Sequence, residues 1–97
     1  MKDKSAKILL DFVEGRIVPE AFEQILYNNP DLERYLKDEP PLPPNYYIKS
    51  DVYTFLIQLD YQNDADVLDA FGAVVEFLDR KKIAFKPTSK YENLLSN

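Results

Sequence analysis

The chain has 97 residues, 45% of them hydrophobic and 13% aromatic, which is enough for one packed domain and too few for two. It contains no cysteine and no histidine, which excludes disulfides, thiolate chemistry, histidine-based nucleophile–base pairs and Cys/His zinc sites. The net charge of −5 repels phosphate backbones and anionic lipid, so a basic protein is a better partner than nucleic acid or membrane, while by charge alone the acidity reads first as an aid to solubility.

Residues 1–5 are mostly charged and lead into a periodic segment with no continuous apolar run, so no signal peptide is expected. No stretch approaches the ~20 apolar residues of a membrane span. A cytoplasmic, monomeric protein is the expectation.

Ile8, Leu9, Phe12 and Val13 fall on one side of a first helix over residues 4–14. Gly15, able to take a positive φ, ends it. Pro19 suits the first turn of a second helix, where its missing N–H has no partner to lose. Glu20 and Glu23 favour that helix's dipole, and Phe22, Ile25 and Leu26 form its buried side. Asn29 can cap a short third helix that starts at Pro30 and carries Leu32, Tyr35 and Leu36.

Residues 38–45 hold four prolines, which forbid a helix and favour an extended, stiff connector within the domain. Such a stretch could also serve a proline-reading groove. Ser50 then reads as an N-cap, with Asp51 in the first turn of a fourth helix. Val52, Phe55, Leu56 and Leu59 repeat along it, widened by Tyr53 and Ile57, so this helix reads as central. Asn63 and Asp64 open a long fifth helix lined by Val67, Leu68, Phe71, Val74, Val75 and Leu78 and ending near Lys81. Gly72 inside it costs about 1 kcal/mol against alanine unless close packing needs the space. Residues 83–85 could pair as one short edge strand. Pro87 follows, and a last short helix carries Tyr91, Leu94 and Leu95. The fold class expected is all-α: one helical domain over residues 1–97, a small bundle of about five helices.

Only carboxylates remain for chemistry. Two glycines cannot build a phosphate-cradling loop. The acid-rich stretch from Asp60 to Asp69 resembles a calcium loop at first sight. Counted from Asp60, its sixth position is Ala65, where a turn glycine is needed, and its twelfth is Phe71, where a bidentate acid is needed. No catalytic, cofactor-binding or metal-ligating set is therefore expected.

Charge distribution says more than net charge. Asp51, Asp60, Asp64, Asp66, Asp69, Glu76 and Asp79 follow one another with no Lys or Arg between them, and Arg80, Lys81, Lys82, Lys86 and Lys90 come next. The helix dipole alone rewards an acidic start and a basic end. It does not account for Asp69, Glu76 and Asp79, which lie beyond the first turn. Asp66, Asp69, Ala73 and Glu76 share one side at spacings of 3 and 4, expected to lie opposite the core. Like charges so placed are mildly destabilising, so this side reads equally as an interaction surface or as a solvated face. Tyrosine brings large contact area at low entropic cost. The candidate partner-binding residues are thus Asp60, Tyr61, Asp64, Asp66, Asp69 and Glu76, with Tyr46 and Tyr47 at the edge.

The run Asn45-Tyr46-Tyr47-Ile48-Lys49-Ser50-Asp51 resembles the tyrosine pair followed by Ser-Asp in the immunity proteins that bacteria make against their own nuclease colicins and related contact-dependent toxins. In that family the tyrosines and nearby acids grip the toxin, and Tyr46, Tyr47 and Asp51 are the positions that match. Here Ile48 follows the pair where the family has proline, and the acidic helix follows the pair where the family's precedes it. Residues 77–91 also look like the tail of small helical immunity proteins. The resemblance implies an antitoxin-like protein that occludes a basic nuclease toxin domain. A helical adaptor domain, or a small carboxylate enzyme using Asp60, Asp64 or Asp69, are the other readings.

Overall fold

The computed structural model describes residues 2–37 and 51–86. Tyr46, Tyr47, the proline-rich stretch and the residues expected to form a last short helix lie outside the described residues. The described residues form five helices, α1 (Lys2–Val13), α2 (Pro19–Asn28), α3 (Pro30–Lys37), α4 (Val52–Ile57) and α5 (Asp64–Arg80).

Local chemistry sets most of the boundaries. Gly15 takes φ 80° beyond the end of α1, which lets the Gly15 N–H reach the Phe12 carbonyl and the Arg16 N–H reach that of Asp11. That pair of bonds is the Schellman arrangement. α5 ends the same way: Ile83 N–H donates to the Leu78 carbonyl at 2.9 Å and Lys82 N–H to that of Asp79 at 3.0 Å. Here the left-handed residue is Lys82, at φ 60°. The Asn29 side chain accepts from the N–H groups of Asp31 and Leu32, capping α3. The Asn63 side chain does the same for α5 through Ala65 and Asp66.

Two expected boundaries move. Asp51 is itself the N-cap of α4, accepting from the Thr54 N–H at 2.8 Å and its hydroxyl at 3.0 Å. The helix then stops at Ile57, before Leu59, and tyrosine hydroxyls from outside the helix reach the carbonyls of Leu56 and Ile57. Among the described residues there is no strand. Residues 83–86 do not form the edge strand considered above. The Ile83 N–H is spent on the end of α5, and the Lys86 N–H donates to a Glu14 carboxylate oxygen at 3.0 Å. That N–H, together with Arg16, holds the Glu14 carboxyl below its usual range.

Buried side chains from all five helices form one cluster. The rings of Phe12 and Phe22 stack with centroids 4.1 Å apart, and Tyr61 meets Phe22 edge-on at 6.1 Å. α1 packs on α2, α3 and α5, and α4 packs on α2, α3 and α5. α5, not α4, contributes the most to the core, through Val67, Ala70, Phe71, Ala73, Val74, Phe77 and Leu78. It lies against both α1 and α4, so its buried arc is wide, and the alanines and Phe77 are drawn into it.

Candidate functional site

The wide buried arc of α5 fixes where its acids can point. Ala73 is 1% exposed, so the side that joins Asp66, Asp69, Ala73 and Glu76 is not opposite the core. The solvent stripe runs through Ala65, Asp69, Gly72, Glu76 and Asp79, at spacings of 4, 3, 4 and 3. Asp69 and Asp79 are exposed and Glu76 is half-buried. A Cβ built on Gly72 meets nothing within 4 Å, so no close packing explains the glycine.

Asp66 lies at the edge of this stripe and has a local task. Its carboxylate accepts the Asp60 N–H at 2.8 Å, while the Asp60 carboxylate accepts the Gln62 N–H at 3.0 Å. Together they shape the turn between α4 and α5. Asp60 and Asp64 are exposed there, so the acidic surface continues from the turn along α5. Asp51, carried over from the family resemblance, is occupied as the α4 cap. Among the described residues no group of three potential metal ligands comes together.

Tyr61 must be corrected. It is 2% exposed, its ring rests against Phe22 and its hydroxyl donates to the Leu56 carbonyl at 2.8 Å. Burial, then the nearby Glu23 carboxylate, Tyr27 and Asp66, push that hydroxyl far above its ordinary range, so it stays a neutral donor. Tyr61 is a core residue plugging the end of α4 and offers no area to a partner. The reason is its place behind the turn: once α4 stops at Ile57, the chain folds Tyr61 inward, where its hydroxyl reaches the Leu56 carbonyl, which otherwise receives the Leu59 N–H at 3.4 Å.

Tyr27 was not singled out in the sequence, yet it is the tyrosine this corner exposes, at 56%. It closes the same helix end from outside, donating to the Ile57 carbonyl at 2.9 Å. Reciprocally, Tyr53 of α4 donates to the Leu26 carbonyl of α2 at 3.2 Å. The sequence does carry a sign of it: Tyr27 falls one step past the stripe of Phe22, Ile25 and Leu26, on the polar side with Glu20 and Gln24. No protein-family profile, curated protein or solved structure matches the chain.

Proposed function

We propose that this domain binds a basic protein and, as an immunity protein does, inhibits a nuclease toxin by covering it. The observation that carries the reading is the acidic surface from Asp60 and Asp64 along Asp69, Glu76 and Asp79, built from a stretch between Asp51 and Asp79 that holds no Lys or Arg. A one-sign surface of this kind raises the rate at which an oppositely charged partner is met. Nucleases carry basic surfaces for their phosphate substrates, so the same surface that draws in nucleic acid would draw in this domain. Inhibition then needs no chemistry from this chain, since occupying the substrate path is sufficient. The cytoplasm, where a producing cell needs protection, is the compartment this role requires.

The test is co-expression with the product of the neighbouring gene. The reading expects a stable one-to-one complex and loss of the partner's nuclease activity within it. A neighbour that neither binds nor carries a toxic activity would count against the immunity role. A complex without any inhibited activity would favour an adaptor.

A further inference from the structure

Among the described residues the exposed large hydrophobic side chains are Val18 and Tyr27. Val18 is aliphatic, so the corner where α2 meets the end of α4 presents a single aromatic ring. That ring is held: its hydroxyl is bonded to the Ile57 carbonyl, which fixes the ring against the corner and costs a partner little ordering entropy.

The other surface tyrosines of the described residues are already used. Lys37 places its ammonium 5.4 Å from the ring centroid of Tyr53, and Lys81 lies 5.4 Å from that of Tyr35. Both are cation–π distances. No Lys or Arg of the described residues lies over Tyr27 at such a distance. Its neighbourhood also explains why. From Ile17 to Glu33 the chain holds Glu20, Glu23, Asp31 and Glu33 and no cation; Glu23 lies one turn before Tyr27 on the same side of α2, and the bond from the Tyr27 hydroxyl to the Ile57 carbonyl places the ring at the end of α4 that leads into the Asp60 turn. The open ring therefore has the Glu23 carboxylate as its helix neighbour and no cation on its own helix.

We infer that Tyr27 is the docking platform for an arginine side chain of the basic partner, its ring stacking the guanidinium while Glu23 and the Asp60 turn accept its N–H groups. Arginine fits better than lysine because a planar guanidinium can stack and still donate sideways. The inference rests on the basic-partner reading above and moves its centre from the α5 stripe to the α2–α4 corner.

The experiment is an NMR titration of the whole chain at low salt with a blocked hexapeptide of alternating alanine and arginine, against the same peptide bearing neutral citrulline. The arginine peptide should shift the Tyr27 ring signals, and the citrulline peptide should not. Tyr27→Leu should weaken the arginine peptide about fivefold, as expected for an exposed cation–π contact of ~1 kcal/mol. Tyr27→Phe keeps the ring and loses only the bond to Ile57, so it should bind within about twofold of the parent. Tyr27 signals that stay still while those of Asp69, Glu76 and Asp79 move would overturn the inference and leave the acidic stripe standing. Signals that stay still at both places would overturn it and withdraw the electrostatic support for the basic partner as well.

Discussion

The outer side of α5 and the corner between α2 and α4 are both acidic, and they differ in how much of their chemistry the fold has already used. Along α5, Asp69 and Asp79 stand exposed on a stripe whose middle is an unfilled glycine. At the corner, the tyrosine hydroxyls and Asp66 are engaged: Tyr27, Tyr53 and Tyr61 donate to helix carbonyls, and Asp66 accepts the Asp60 N–H. The buried Leu56 carbonyl receives the Leu59 N–H only at 3.4 Å, so the Tyr61 hydroxyl at 2.8 Å is its stronger partner, while the Tyr27 bond to the Ile57 carbonyl is exposed. The tyrosines at this end of the molecule are therefore structural first. What remains for a partner is charge on α5, and one held, exposed ring at the corner.

The comparison breaks most readily at its two tyrosines. Tyr61→Ala removes a buried ring and a carbonyl cap, and should cost about 3–5 kcal/mol, in the range of other large aromatic truncations. Tyr27→Ala loses one exposed hydrogen bond and should cost about 1 kcal/mol. Urea unfolding of the two variants measures the gap. Equal losses would mean that Tyr27 is as deeply structural as Tyr61.

A smaller gap separates two aspartates three positions apart. Asp66→Lys leaves the Asp60 N–H without its acceptor and places a cation in the first turn of α5, for an expected loss of about 1–2 kcal/mol. Asp69→Lys touches no hydrogen-bonded group and should stay within about 0.5 kcal/mol of the parent. Thermal melts of the pair decide this, and a destabilised Asp69→Lys would move the stripe back toward Ala73. The smallest effect is at Gly72. With open space at its Cβ, Gly72→Ala should stabilise α5 by up to about 1 kcal/mol. A loss on this substitution would mean that something packs on the stripe.

Much of this was legible residue by residue. Gly15, Asn29 and Asn63 end or cap helices through their own side-chain and backbone chemistry, and the spacing of Leu9, Phe12, Phe22 and Leu26 marks buried sides directly. The rotation of α5 was not legible. Alanine buries as readily as it stays exposed, so Ala70 and Ala73 give no sign of which side is covered, and only the two neighbours α1 and α4 settle it. Tyr61 failed for a related reason. A tyrosine beside Asp60 and Asp64 reads as surface, and it becomes core only once α4 ends early and the chain turns Tyr61 back onto the Leu56 carbonyl.

The acidic stripe itself is tested most directly by association kinetics with the co-purifying basic partner. The variant carrying both Asp69→Lys and Asp79→Lys changes two exposed groups and keeps every hydrogen bond described above. Its association rate at an ionic strength of about 20 mM should fall tenfold or more below the parent's, and the two rates should converge near about 0.5 M salt as screening shortens the reach of the charges. Identical rates at low salt, from a variant with an unchanged circular dichroism spectrum, would contradict the account and leave α5 with a solvated face and no part in recognition.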